Sequence, residues 1–327
     1  MKIALTGGAG FIGTNILVSA KSSKIKFYPS DIVSPRCKDL CELKYVDLCD
    51  FKSLHKWLDV VAPEIIIHLG ARTDLAGKRA YDYEANIAGV ENICTWLKNN
   101  PSCHTALFAS SRLVCRIGYQ PNSETDYCPT TAYGESKIIS ENIIRNSGLP
   151  QSWTIFRPTS IWGPWMGAPY DAFFRYVAQG LYLHPKDCKI EKSFGFVGNT
   201  VQQIMELALG GAKILNCKTI YLADYEQIDV FEWGNEIRLQ MGKGPLKTVP
   251  SWVLRTAAKL GDMFKLLGYN KVPLTSFRLG NLLTNMPHDV SDIQSVLPSL
   301  PFTHQEGIKI TIDWIKNGKT SNKIFSY

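Results

Sequence analysis

Tyr133 and Lys137 are the residues whose types and spacing most directly suggest chemistry, since four positions separate them. Positions i and i+4 share one face of a helix, so the phenol and the ammonium can point into one cleft. A free phenol has a pKa of about 10 and is a poor base at neutral pH. A nearby ammonium lowers that pKa, and the pair could then exchange a proton with an alcohol. The same spacing also occurs on ordinary solvated helices.

Ser111 is a second candidate, because it follows the apolar run Thr105–Ala109, which predicts a buried strand. Hydroxyls at the carboxyl end of a parallel strand face the ligand crevice of such sheets. Ser111 could therefore hold a substrate oxygen beside the phenol. The alternative role is that of a helix or turn cap.

A glycine-rich loop lies near the start of the chain, with Gly7, Gly10 and Gly13 in the spacing G-x-x-G-x-x-G. Glycine lets a backbone turn tightly and approach a pyrophosphate, and a helix that starts there directs its N–H groups at the phosphates. A purely structural turn is the alternative. The position between a predicted strand and a predicted helix favours dinucleotide binding.

Asp31 ends the second predicted strand, 18 residues after Gly13. A carboxylate there can accept hydrogen bonds from both ribose hydroxyls and repels a 2′-phosphate, which favours NAD over NADP. Arg36 lies near enough in the sequence to blur that choice, and a solvated turn aspartate is the alternative. With a dinucleotide in place, Tyr133 would take a proton from a substrate hydroxyl while a hydride leaves the same carbon.

The elements that must position these residues alternate along the first half of the chain. Strand-like runs stand at 2–6, 24–28, 64–69, 105–109 and 153–157, and helical patterns stand at 14–20, 51–61, 81–99 and 131–147. This alternation predicts an α/β fold with a doubly wound parallel sheet of the Rossmann type.

The alternation fades after about residue 160, where 161–170 predicts a loop, 201–209 a helix and 219–222 a strand. We therefore expect a dinucleotide-binding domain over 1–160, with a returning segment near 194–224. The remainder of 161–327 should form a smaller C-terminal substrate domain.

Composition excludes several classes of protein for these 327 residues, of which 45% are hydrophobic. A disordered or collagen-like chain is excluded, and the net charge of +7 is too mild for a nucleic-acid-binding protein.

No signal peptide is recognisable and no stretch of about 18 apolar residues occurs, so no membrane span is expected. Nine scattered cysteines fit a reducing cytoplasm. Cys37, Cys41, Cys49 and His55 match no common zinc spacing, so no metal is predicted.

Residues 252–267 predict an amphipathic, mildly basic helix. Such a helix could lie on a membrane surface or form part of a substrate lid. The alternative is that it packs against its own domain.

Together these motifs resemble the extended short-chain dehydrogenase/reductase family, especially its nucleotide-sugar epimerases and dehydratases. The matching segments run in the family's order: TGGAGFIG at 6–13, Asp31, Val46-Asp47-Leu48, HLGA at 68–71, Asn86, Ser111, Tyr133 with Lys137, and RPTSIWGP at 157–164. The resemblance implies NAD as the cofactor, a nucleotide sugar as the substrate and a homodimer formed through 81–99 and 131–147.

The resemblance also assigns residue roles. Catalysis falls to Ser111, Tyr133 and Lys137. The expected cofactor contacts are Gly7, Gly10, Phe11, Ile12, Gly13, Asp31, Asp47, Leu48, Leu69, Gly70, Ala71, Asn86, Tyr133, Lys137 and Arg157. The expected substrate contacts are Arg72, Thr73, Arg112, Ser160 and Lys192.

The chain departs from the family on the substrate side. Cys115-Arg116 replaces the usual Tyr-Gly, Ser160 replaces an asparagine, and Lys192 stands where an arginine clasps the substrate diphosphate. Arg112-Leu113 occupies the place of the acidic pair of 4,6-dehydratases, so 4,6-dehydration is not expected. The expected activity is that of an epimerase or sugar oxidoreductase. The alternatives are a hydroxysteroid-type or other apolar-alcohol dehydrogenase/reductase and a non-catalytic dinucleotide-binding regulator.

Overall fold

The computed structural model describes residues 1–20, 25–37, 40, 42–167, 170–269, 272 and 274–317. The strands are β1 (Lys2–Thr6), β2 (Lys26–Asp31), β3 (Lys44–Tyr45), β4 (Ile65–His68), β5 (Thr105–Ala109), β6 (Ser152–Pro158), β7 (Ser160–Trp162), β8 (Leu183–Pro185), β9 (Glu191–Lys192), β10 (Phe194–Phe196), β11 (Lys218–Leu222), β12 (Ile228–Asp229) and β13 (Lys247–Val249). The α-helices are α1 (Phe11–Ser19), α2 (Phe51–Val61), α3 (Glu84–Lys98), α4 (Ala132–Asn146), α5 (Tyr170–Gln179), α6 (Val197–Glu206), α7 (Ala212–Ile214), α8 (Val230–Gln240), α9 (Ser251–Leu266), α10 (Ser276–Leu283), α11 (Ser291–Val296) and α12 (His304–Lys316).

The central sheet has seven strands in the order β11-β6-β5-β4-β1-β2-β3, and all its neighbours pair in parallel. The predicted doubly wound α/β fold is therefore confirmed. The strand order reverses between β1 and β4, which is where such sheets open a crevice for ligands at their carboxyl ends. β11 lies beside β6, so the chain returns to the sheet after a long excursion.

Two hydrophobic cores, one on each face of the sheet, explain why its strands are apolar throughout. Ile65 and Ile67 of β4 pack in one core with Ile16 of α1. Ile66, between them, packs in the other core with Ile93 of α3. Successive side chains of a strand point to opposite faces, so a fully buried parallel strand must be apolar at every position.

Local capping explains why the helix boundaries near the site could be predicted. Asp50 caps α2, with its carboxylate accepting from the Ser53 N–H at 3.1 Å. Thr131 caps α4, and its hydroxyl accepts from the Gly134 N–H at 3.0 Å. Such caps satisfy N–H groups that the first helical turn leaves without partners. The helices predicted over 51–61 and 131–147 are confirmed as α2 and α4.

The prediction of a loop over 161–170 is wrong at its start. Ser160–Trp162 form β7, which pairs in parallel with β10. Trp162 is fully buried, with its ring centroid 5.2 Å from that of Phe196 and 5.3 Å from that of Trp233. The glycines and prolines after Trp162 predicted a loop. The Trp162 side chain instead packs in the core, and its backbone belongs to a strand. Ala168 and Pro169 of this segment lie outside the described residues, as does Lys24 of the second predicted strand.

Two predicted helices begin earlier than their sequence patterns indicated. α1 starts at Phe11 rather than Thr14, and α6 starts at Val197 rather than Val201. In both helices a glycine, which is a poor helix former, lies in the first turn: Gly13 in α1 and Gly198 in α6. Because glycine has a low helix propensity, the sequence pattern predicted a start that was too late. Across the described ranges, no helix is both long enough and apolar enough to cross a bilayer.

We expect Ile66→Ala to destabilise the protein by about 2–5 kcal/mol, because it opens a cavity in a strand that is covered on both faces. Ile66 is 0% exposed. Urea unfolding followed by far-UV circular dichroism measures the change. The matched control is Val60→Ala on α2, where the side chain is 79% exposed and the cost should be small. Equal losses in the two variants would contradict the two-core arrangement.

Candidate active site

Two adjoining cavities open at the carboxyl ends of β1, β4 and β5. The first, of about 330 Å³, brings together Gly7, Gly10, Phe11, Ile12, Gly13, Asp31, Leu69, Gly70, Ala71, Thr73, Ser111, Tyr133 and Lys137 from the predicted site. The second, of about 310 Å³, adds Asp47, Leu48 and Arg72. Gly7, Asp31, Gly70 and Ala71 line both, so the two form one elongated cleft. A cleft of this length suits an extended ligand.

The glycine loop is pressed against its neighbours so closely that side chains would not fit. Gly7 has φ +72°, and a Cβ there would lie 2.6 Å from the Gly70 N atom. A Cβ on Gly13 would lie 2.3 Å from the Gly7 carbonyl oxygen. The residue that precedes α1 is Gly10, which has no side chain to cap the helix. The first N–H groups of α1 are therefore directed at the cleft, as in an anion site.

Asp31 is held at the cleft wall by the backbone. Its Oδ2 accepts from the Ala9 N–H at 3.0 Å, and its Oδ1 accepts from the Ile32 N–H at 2.7 Å. Arg36 spans the same wall, because its Nε donates to the Ala9 carbonyl at 3.0 Å and its Nη1 donates to the Trp165 carbonyl at 2.8 Å. A carboxylate has about four acceptor positions, so Asp31 can still accept from a ribose.

Tyr133 and Lys137 lie one turn apart on α4 and both line the first cavity. The Lys137 side chain is buried, and its Nζ donates to the Ala109 carbonyl at 2.9 Å. Burial lowers the pKa of Lys137 to about 8, although the charge of Glu141 acts in the opposite direction. The ammonium is thus mostly protonated at pH 7. The Tyr133 ring packs edge-on against Tyr83, with the centroids 5.8 Å apart.

Ser111 is a turn cap, one of the two roles that its sequence position left open, and its place in the cavity is compatible with the other role. Its hydroxyl accepts from the Leu113 N–H at 3.1 Å and so caps the 3₁₀ turn Arg112–Val114. It also lines the cavity beside Tyr133. The cap fixes the position of the oxygen while the hydroxyl hydrogen remains available to a substrate.

Glu141 is the main residue that sequence reasoning missed. It is completely buried, and its Oε1 accepts from the Ser110 hydroxyl at 2.5 Å and from the Arg157 Nε at 2.9 Å. Its Oε2 accepts from the Arg157 Nη2 at 2.7 Å and the Tyr127 hydroxyl at 2.9 Å. Burial alone would raise the pKa of Glu141, but the hydrogen bonds and charge of Arg157 lower it overall. The signal was present in the sequence, since Glu141 continues the i, i+4 series of Tyr133 and Lys137.

Two predicted cofactor contacts, Arg157 and Asn86, line neither cavity. Arg157 is 1% exposed, and its guanidinium is committed to Glu141, to the Glu124 carbonyl at 2.6 Å and to the Tyr221 hydroxyl at 3.3 Å. It has no surface to offer a ligand. Asn86 is also fully buried, and its amide bonds to both backbone groups of Arg72. It supports the loop that lines the cleft.

Three predicted substrate contacts also lie away from the cavities. Lys192 is 4% exposed, and its Nζ donates to the carbonyls of Asn281, at 2.9 Å, and Thr284, at the end of α10. Burial, together with the charge of Arg112, lowers the pKa of Lys192 to about 8. Ser160 is 6% exposed within β7. Arg112 is half-buried near Lys192 and does not line either cavity.

The cleft fits a dinucleotide on the chemistry of its own groups. An uncapped helix N-terminus suits a pyrophosphate, the Asp31 carboxylate suits ribose hydroxyls, and the Lys137 ammonium suits a second ribose beside the phenol. These groups occupy successive parts of one continuous cleft. The individual contacts remain predictions.

Comparisons with known proteins agree with this geometry. The sequence profile of the NAD dependent epimerase/dehydratase family matches residues 3–192. A relative from Escherichia coli O157:H7, N-acetyl-alpha-D-glucosaminyl-diphospho-ditrans,octacis-undecaprenol 4-epimerase, is 22% identical over 95% of this chain and 94% of its own length.

Solved structures show the same fold. The UDP-glucose 4-epimerase of Thermotoga maritima, solved with UDP-glucose, has a TM-score of 0.74 at 16% identity over 97% of this chain and 99% of that one. The UDP-glucuronic acid 4-epimerase of Bacillus cereus, solved with UDP-glucuronic acid and NAD, has a TM-score of 0.69 at 19% identity over the same shares.

We expect Glu141→Gln to cost about 3–5 kcal/mol of stability, because it leaves the buried Arg157 without its counter-charge. The pKa of Glu141 is lowered in the folded state, so its stabilisation is full above the unfolded value of about 4.3 and is lost as the pH falls through the folded value. Denaturant titrations between neutral and acidic pH should show a shallower acid limb in the variant. Glu91→Gln, at an exposed position of α3, is the control. An unchanged acid limb in Glu141→Gln would exclude this role.

Proposed function

The chain belongs to the NAD dependent epimerase/dehydratase family, and from this premise we propose that it epimerises a sugar carried on a diphosphate, in the first instance a nucleotide-activated sugar. The observation that carries the proposal is the shared cavity of Ser111, Tyr133, Lys137 and the glycine loop. It places a proton-exchanging phenol in the same cleft as the groups that suit a dinucleotide.

The chain's own residues handle the proton of the reaction. NAD, when bound, supplies a reversible hydride acceptor. Tyr133 Oη takes the proton of a sugar hydroxyl and later returns it to the same oxygen, while Ser111 Oγ–H donates a hydrogen bond to that oxygen. The ammonium of Lys137 stabilises the phenolate by its charge. If the hydride returns to the opposite face of the carbon, an epimer forms and no cofactor is consumed.

The residues beside Ser111 favour epimerisation over 4,6-dehydration. Arg112 and Leu113 provide no carboxylate that could act as the acid for expelling water. A net sugar oxidoreductase, an apolar-alcohol dehydrogenase and a non-catalytic dinucleotide-binding regulator remain as outcomes of the tests below.

A second candidate substrate is a sugar whose diphosphate carries a lipid instead of a nucleoside. The E. coli relative is named for such a compound, and its similarity spans nearly the whole chain. Both candidates share the sugar diphosphate and the same proton chemistry.

The assembly and location of the protein are also part of this proposal. The predicted homodimer would form through α3 and α4, which pack side by side. Glu91 of α3 and Asn142 of α4 are exposed and could meet a second copy. A cytoplasmic location fits a soluble nucleotide sugar, and the division into 1–160 and 161–327 assigns the sugar to the C-terminal part.

We expect Tyr133→Phe to lower kcat by about 10²–10⁴-fold, because the variant keeps the ring and loses the proton-exchanging hydroxyl. Isothermal titration should show that NAD still binds. Tyr81→Phe, at a side chain that is 75% exposed, should retain full activity. Full turnover by Tyr133→Phe would exclude this mechanism.

We also expect NAD to raise the melting temperature more than NADP does, because Asp31 would face the 2′-phosphate of NADP. The same thermal-shift screen should include UDP, dTDP, GDP and CDP, of which one should stabilise the protein. Stabilisation by none of them, together with turnover of a polyprenyl-diphosphate sugar, would select the second candidate. A larger shift with NADP would contradict the role of Asp31.

A further inference from the structure

Helix α9 carries apolar side chains on two opposite faces. Leu254, Ala258 and Gly261 are buried against the protein. Successive residues of a helix are rotated by about 100°, so Trp252 and Met263 project from the opposite side. These two side chains are 69% and 49% exposed. The helix therefore has an apolar stripe beyond the one that its own fold uses.

This outer stripe is extensive. We define the α9 outer face as six side chains with exposed fractions between 48% and 88%: Trp252, Leu260, Met263, Phe264, Leu266 and Leu267. Tyr269 follows directly and packs edge-on against Phe264 at 5.9 Å. Exposed clusters of large apolar side chains commonly mark interaction surfaces.

Basic residues border the α9 outer face. Arg255 and Lys259 are exposed and lie on the helix beside Trp252 and Met263, and Lys265 is exposed near the end of the helix. The acidic residue of α9 is Asp262, whose carboxylate is occupied as an acceptor for the Ser276 N–H at 3.1 Å. With three basic residues and one acidic residue, the helix presents apolar and aromatic side chains together with a net positive charge.

We propose that the α9 outer face binds the surface of an anionic lipid bilayer. Leucine, phenylalanine and tryptophan would enter the boundary between headgroups and acyl chains, and the basic side chains would meet the anionic headgroups. A second copy of this chain fits less well. In a two-fold contact Arg255 and Lys259 would approach the same residues of the copy, and like charges would repel.

A series of contacts connects α9 to the substrate side of the cleft. A Cβ on Gly261 would lie 1.9 Å from the Leu274 carbonyl oxygen, so α9 and the segment leading into α10 are in close backbone contact. The other end of α10 holds Lys192 through the carbonyls of Asn281 and Thr284. Lys192 in turn lies near Arg112, the residue after Ser111. Docking would bring this side of the enzyme to the bilayer, where a lipid-anchored sugar diphosphate could be reached.

Flotation of the full chain with vesicles tests the proposal. Wild-type protein should float with vesicles of phosphatidylcholine containing about one third phosphatidylglycerol, and much less with pure phosphatidylcholine. The double variant Leu266→Glu, Leu267→Glu should reduce the bound fraction about tenfold, since it places charge in the apolar stripe. Lys259→Glu should also weaken binding. The matched controls, Val60→Glu and Lys52→Glu on α2, should bind as the wild type does.

Several outcomes would overturn the proposal. These are the absence of flotation, equal flotation of the leucine variant and the wild type, and conversion of an oligomer into monomers by the leucine substitutions in light scattering. Turnover of a water-soluble substrate and NAD binding should be the same in all these variants. Vesicle binding and epimerase activity can therefore fail separately, so a negative result for one leaves the other intact.

Discussion

One face of α4 joins the chemistry of the cleft to the interior of the protein. Tyr133, Lys137 and Glu141 follow one another at i, i+4 spacing, and each successive side chain lies deeper. A buried ammonium and a buried carboxylate are both costly unless they are paired. Here the Ala109 carbonyl accepts from Lys137, and Arg157 neutralises Glu141. The paired and buried side chains of Lys137 and Glu141 therefore hold this face of α4 in place, and they fix the Tyr133 phenol at the cleft.

The strand order of the sheet determines where this face of α4 can meet a ligand. β1 and β4 are neighbours in space although α1, β2, β3 and α2 separate them along the chain. The loops that follow β1 and β4 leave the sheet in different directions, and a crevice opens between them. Gly7 of the first loop and Gly70 of the second loop lie against each other there. α4 packs beside α3, and its Lys137 donates to the Ala109 carbonyl at the end of β5, the strand beside β4. A dinucleotide site and an acid–base pair meet because both follow the carboxyl ends of adjacent parallel strands.

The first half of the fold could be predicted from the sequence because its signals are local. Apolar strands, helix caps and the glycine loop each act within about ten residues. The errors arose where a distant partner decides the outcome. Trp162 belongs to a strand because β10 pairs with it, and Arg157 is buried because Glu141 neutralises it. Lys192 has the sequence position of a diphosphate cation, yet it donates to two carbonyls at the end of α10. No short pattern reveals such contacts.

The contrast between the two sides of the cleft bears on how the substrate is selected. On the dinucleotide side, the backbone supplies much of the binding surface, so few substitutions are tolerated there. On the other side, Lys192 fastens β9 to α10, and α10 is held against α9, whose outer face is apolar and basic. A cation that ties two elements together stiffens that side of the protein. A substrate with a long apolar carrier would find matching chemistry next to this side, on α9.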